Sequence, residues 1–261
     1  MKKLFLLLAT GALCAEASLI TSYTDLDLGG ATVDGAISGD EYGTGNSFAY
    51  TGGGGGFLGA LGNSTMYMNS DGANLYIGFS SLGNPGANQV LIYLNTQAGG
   101  FSTVTSDPNG MDDFSDGGRA NISRLAADGD ETIPFDADFA LLFNQGFSFL
   151  ADLEDTGPHG TVTHTSAGLA SDTPEFSISL ADLGLGAGDT LQFTAFLISD
   201  TGFMSNEGIP DPGLGGNPGF NTGGNLVFAD YNDFTVVPEP STIAFAALGL
   251  LALGRRLRRR A

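Results

Sequence analysis

The chain has no tryptophan and one cysteine, and between its two ends it carries almost no positive charge. Cys14 lies within the first 17 residues, so a chain processed after Ala17 contains no thiol. That excludes a disulfide, a thiolate nucleophile and a thiolate metal site, and leaves stability to packing and to any bound cations. Lys2 and Lys3 stand at the N-terminus, and Arg255, Arg256, Arg258, Arg259 and Arg260 stand at the C-terminus. Only Arg119 and Arg124 fall between, against 27 acidic side chains in residues 18–237, a net charge of −25. Such a surface repels phosphate backbones and anionic headgroups, which excludes nucleic acid as a partner bound through counterion release. Catalytic signatures are missing too. There is no nucleophile elbow, no His-Glu-x-x-His and no phosphate loop, since the five glycines at 52–56 lack a following lysine and run into Phe57. The expectation is a protein that is not an enzyme. A pair of carboxylates can hydrolyse a glycosidic bond, but among 27 acids no pair stands out, so a glycan-acting hydrolase is the lesser alternative.

What is present begins with the ends. Met1-Lys2-Lys3 is a positive n-region, residues 4–13 are an apolar h-region, and Ala15-Glu16-Ala17 is a small-x-small cleavage triplet. Residues 1–17 therefore read as a signal peptide, cut before Ser18 and handled by the Sec export machinery. The alternatives are an N-terminal anchor helix, for which the run is short, and a lipidated Cys14, for which Leu13 is a poor preceding residue. At the other end, residues 243–254 form a 12-residue apolar stretch, about 18 Å as a helix, followed by five arginines within six residues. The arginines hold their side of a short transmembrane helix in the cytoplasm. Pro238 and Pro240 keep the preceding segment extended.

Pro238-Glu239-Pro240, a short apolar helix and a terminal arginine cluster, in that order, resemble the PEP-CTERM sorting signal of exported bacterial proteins. The resemblance covers residues 237–261. It implies transient membrane insertion, recognition by an exosortase-type transpeptidase through Pro238, Glu239, Pro240, Arg255 and Arg256, and cleavage near the Pro-Glu-Pro element. Its product is delivered to the cell surface or the extracellular matrix.

Residues 18–236 read as one β-sandwich domain. Helical periodicity is scarce, and short β-type runs recur between glycine and aspartate turns. Residues 64–68 and 74–80 flank an Asp71-Gly72 turn as a hairpin. The run Gln-Val-Leu-Ile-Tyr-Leu at 89–94 suits a central strand buried on both faces. Residues 137–143 pair with 147–153, and further strands are expected at 161–165, 175–180, 190–198 and 225–237. Residues 204–224, rich in Gly, Pro and Asn, read as one long loop. About ten strands with little helix predict an all-β, jelly-roll-type sandwich. Thr32-Val33-Asp34-Gly35 through Tyr42, then residues 74–79, 89–95, 176–185 and 188–193, resemble in order the strands of family-9 carbohydrate-binding modules and their DOMON-like relatives. That resemblance implies a sandwich fold and leaves the function open. Those modules stack sugars chiefly on tryptophan, which this chain lacks.

Tyrosine and phenylalanine can take that role beside planar polar groups. Tyr42, Tyr50, Phe57 and Phe114 are the candidate stacking rings, with Phe101 and Phe220 behind them, each against the alternative of core packing. Asp107, Asn109, Asp112, Asp113 and Asp116 form a glycine-rich acidic loop of the oxygen-rich kind that calcium takes, against the alternative of a solvated acidic loop. No glutamate closes that loop in the EF-hand manner, and Asp128, Asp130 and Glu131 make a smaller second group. His159 and His164 lie five positions apart and point to opposite faces of a strand, so they form no natural zinc pair. The whole reads as an exported, surface-sorted, non-catalytic protein that binds or embeds in extracellular polysaccharide. The alternative is a structural acidic envelope protein without specific sugar binding.

Overall fold

The computed structural model describes residues 30–38, 40–43, 45–52, 59–104, 131–153, 160–199, 204–217, 226–227 and 230–237. Among them the regular structure is all β. The strands in chain order are β1 (Ser47–Ala49), β2 (Thr65–Ser70), β3 (Asn74–Ser80), β4 (Gln89–Asn95) and β5 (Phe101–Val104). There follow β6 (Glu131–Ala137), β7 (Phe139–Phe143), β8 (Ser148–Asp152), β9 (Gly160–Thr161) and β10 (His164–Ala167). The last are β11 (Glu175–Ser179), β12 (Thr190–Ile198), β13 (Met204–Ile209), β14 (Leu226–Val227) and β15 (Asn232–Thr235).

Two antiparallel sheets face each other. The first runs β1-β2-β3-β11-β10; the second runs β13-β12-β4-β7-β8-β9, with β15 also paired to β12. Period-2 alternation decides which residues meet between them. Leu75, Ile77 and Phe79 of β3 and Phe176 and Ile178 of β11 face Val90, Ile92 and Leu94 of β4 and Leu191, Phe193 and Leu197 of β12, in one core cluster. The rings of Phe143 and Phe176 close the gap at 4.7 Å between centroids. This is the all-β sandwich that the sequence predicts.

A small third sheet, β14-β6-β5, adds a partial outer layer. Phe135 and Ala137 of β6 pack on Leu91, Tyr93, Leu142 and Phe196 in a second cluster, on the far face of the second sheet. The continuous apolar run of β4 is thereby explained, because alternate residues serve two different cores. At the hairpin between β2 and β3, Gly72 has φ of 85°. Asp71 Oδ1 accepts the amide N–H of Ala73 and Asn74 at 3.0 and 2.8 Å, which builds the turn locally.

Several expected boundaries are corrected. Residues 204–224 are not one loop, because β13 pairs with β12 through Ala195↔Ile209 and Phe196↔Gly208. The expected strand at 225–237 is two strands in different sheets, β14 on β6 and β15 on β12. The one at 161–165 is likewise split, with β9 on β8 and β10 on β11.

Candidate functional site

The expected stacking rings are not brought together. Tyr42 is only 2 % exposed, and its phenol donates to Glu175 Oε1 at 2.9 Å, so it is a packing residue and not a sugar platform. Tyr50 lies half-buried against the inter-sheet core. Phe57, Phe114 and Phe220 lie outside the described residues, as does the side chain of Phe101. So do the loop with Asp107, Asn109, Asp112, Asp113 and Asp116, the side chains of Asp128, Asp130 and Glu131, and His159. His164 points inward, its Nε2 2.8 Å from Ser148 Oγ and its ring beside Phe176. Among the described residues no group of three or more His, Cys, Asp or Glu side chains is placed to hold a metal ion.

What the sequence did not reveal is how the acidic body buries its carboxylates. The described residues contain no lysine or arginine, so burial demands another source of positive potential. Backbone amides supply it. Glu175, fully buried on the outer face of the first sheet, accepts the N–H groups of Asp34, Gly35 and Ala36 on Oε2 at 3.1, 2.7 and 3.1 Å. The segment around 31–42 is thereby clipped over β2 and β3, where Ala31, Tyr42 and Tyr76 form a small apolar cluster. Glu207 of β13 is also fully buried and accepts the amides of Gly59 and Leu61 at 2.8 Å each. Asp138 Oδ2 receives the amides of Thr96 and Gln97 at 2.6 and 2.9 Å. Burial, and then Glu175 beside it, push the Tyr42 phenol far above its ordinary value.

The second site is the end of the folded body. β15 pairs with β12 from Asn232↔Phe193 to Thr235↔Thr190 and puts Phe234 in the inter-sheet core. Val236 is fully buried; its N–H donates to Asp189 O at 2.8 Å, and its carbonyl accepts the N–H of Gly188 at 2.9 Å. Val237 is 9 % exposed and donates its N–H to Ser70 Oγ at 2.9 Å. Ser70 ends β2 of the first sheet, whereas Asp189 precedes β12 of the second. The chain is therefore held by both layers up to Val237, and Pro238 is the next residue. Pro238, Glu239, Pro240, Arg255 and Arg256 lie outside the described residues, as do Ala15 and Ala17. Among the described residues no helix is long and apolar enough to cross a membrane.

Residues 236–260 match the PEP-CTERM protein-sorting motif. The matched segment thus starts at the clamped residue Val236. That motif marks an exported protein with a C-terminal, membrane-anchoring sorting signal for exosortase processing. Among curated proteins none matches the chain. A solved structure of a proposed carbohydrate-binding protein from Bacteroides uniformis aligns over 67 % of this chain and 78 % of its own, with 8 % identity and a TM-score of 0.35. At that likeness, fold and function rest on this chain's own residues.

Proposed function

We propose that this PEP-CTERM chain is a non-catalytic module that the cell exports, sorts and leaves bound to, or embedded in, extracellular polysaccharide. The observation that carries the proposal is the junction at Val236 and Val237, where a sorting motif emerges from a folded sandwich with no intervening linker. A signal peptide at residues 1–17 brings the chain across the membrane. The arginine-flanked helix then holds it there while an exosortase-type transpeptidase acts near Pro238-Glu239-Pro240. Cutting beyond Val237 leaves the last strand and both clamps intact, so the sandwich is released or attached as a finished fold. A saccharide role is supported by the in-order likeness to carbohydrate-binding modules in residues 32–42, 74–79, 89–95, 176–185 and 188–193. The structure places the opening Asp34-Gly35 of that likeness under the Glu175 clip. Calcium held by the loop at 107–116 is part of the proposal as a supporting ion for an acidic body.

Retention of the secreted protein on polysaccharide purified from the producing cells, with and without calcium, tests this directly. Saturable retention is expected, stronger with calcium. Absence of retention in both conditions contradicts the saccharide role and favours a structural acidic envelope protein, which associates between copies in a cation-dependent way.

A further inference from the structure

Among the described residues, the outer face of the second sheet is covered at one end only. Phe135 and Ala137 of β6 lie over the apolar end, around Leu91, Leu142 and Phe196. At the other end the face becomes polar, and one rung of three strands carries the change. Gln192 is the direct cross-strand partner of both Asn95 and Asp233. Their neighbours Leu94, Leu191 and Phe234 point into the inter-sheet core, so all three polar side chains point outward by alternation. Asn95 Nδ2 donates to Gln192 Oε1 at 2.9 Å. That bond fixes both amide planes and leaves Asn95 Oδ1 as acceptor and Gln192 Nε2 as donor, with no further partner among the described residues. Asn95 and Gln192 are half-buried and Asp233 is exposed.

Aromatic and hydroxyl groups flank the rung. Tyr231, two residues before Asp233 and so on the same face, is half-buried and braced edge-on by Phe135 at 5.9 Å. Thr194 occupies the next rung beside Tyr93 and is 1 % exposed; its Oγ1 has no hydrogen-bond partner among the described residues. On the opposite side Thr190 and Thr235 are exposed, with their hydroxyls 2.9 Å apart. The polar row spans two strand spacings, about 10 Å. It presents a fixed acceptor, a fixed donor and a carboxylate next to a braced ring.

We infer that the Asn95–Gln192–Asp233 rung, with Tyr231 at its flank, binds an uncharged, hydroxyl-rich polysaccharide. The inference rests on the saccharide role proposed above and adds its site and ligand class. Vicinal sugar hydroxyls both donate and accept, which matches an alternating row of this kind, while the ring offers a stacking surface. Charge decides the class. Asp233 stands in the row, and the body carries −25, so a uronate- or phosphate-bearing polymer meets repulsion along its length.

The test is native-gel retardation of the secreted protein in gels containing one of three polymers. These are the neutral polysaccharide fraction of the producing cells, hydroxyethylcellulose and alginate. Wild-type protein is expected to be retarded by at least one neutral polymer and not by alginate. Asp233→Ala and the double variant Asn95→Ala/Gln192→Ala are expected to weaken that retardation at least tenfold. Ser177→Ala, on the outer face of the other sheet, is expected to leave it unchanged. Asp233→Asn, which keeps the shape of the side chain, guards against a folding defect and is expected to weaken retardation in the same direction. Variants as strongly retarded as wild type overturn this site and leave the saccharide role standing. Equal retardation by alginate overturns the ligand class. Wild type that passes unretarded through all three overturns the saccharide role itself.

Discussion

A chain with almost no cations has to bury its acids in some other way, and single residues show how. Glu175 receives three amide N–H groups and one phenol, which together offset the cost of taking a carboxylate out of water. Glu175→Gln turns one acceptor into a donor facing those groups. It is expected to lower unfolding free energy by about 1–3 kcal/mol in urea denaturation, and Tyr42→Phe by about the same order. Unchanged midpoints in both would show that the clip contributes nothing. A pH prediction follows from Tyr76. Burial first, and then the hydrogen bond to Asp71 at 2.6 Å, raise its phenol from 10.0 to about 12. The folded state therefore keeps a proton that the unfolded chain releases. The stability this gives is complete below pH 10 and is lost as pH rises towards 12. Tyr76→Phe is expected to make the stability curve flatter over that window, as read by urea midpoints at successive pH values. At the acid end Asp71 works in the opposite sense. Burial alone would raise its pKa, but the hydrogen bonds from Tyr76, Asn74 and Ala73 outweigh that and hold it below 3.8.

At the level of strands and turns, much of the body could be read in advance, and the failures have physical causes. β4 and β12 are long, apolar and central, so propensity, pattern and burial agree, and their expected spans meet the observed ones within a residue. β13, Met-Ser-Asn-Glu-Gly-Ile, shows no alternation, because its buried Glu207 is satisfied by amides almost 150 positions earlier in the chain. Nothing local in the sequence signals that. Tyr42 reads as exposed from sequence for the same reason, since a loop neighbour looks open until a carboxylate 133 residues away covers it. The Asn95–Gln192–Asp233 rung was invisible although each of its strands fell in an expected strand, because register between distant strands is not written in any one of them. Close approach at Gly78 gives an element-scale test. A Cβ there would lie 2.5 Å from Tyr42 Oη and 2.7 Å from Ile37 Cδ1, where the 31–42 segment crosses β3. Gly78→Ala is expected to cost about 1–3 kcal/mol and to raise amide exchange at residues 33–42 while β4 and β12 stay protected. Unaltered exchange in that segment would contradict the packing described for it.

For the molecule as a whole, the two ends and the body do separate work. Seven of the nine basic residues lie at the two ends of the chain, five of them inside the sorting motif. The body carries −25 between residues 18 and 237, and its described part closes at Val237, immediately before Pro238. Val236 and Val237 close it, because their three hydrogen bonds join both sheets just before Pro238. Ser70→Ala is expected to loosen this closure, giving faster amide exchange at Val237 and readier proteolysis just upstream of Pro238 in the purified protein. The central claim is that the chain is sorted through its C-terminal signal and matures as a sandwich ending close to Val237. Its most direct test is the intact mass of the protein recovered outside the producing cells. The account predicts a chain that has lost the residues beyond the Pro238-Glu239-Pro240 element. A secreted protein still carrying Arg255, Arg256, Arg258, Arg259 and Arg260 would contradict it.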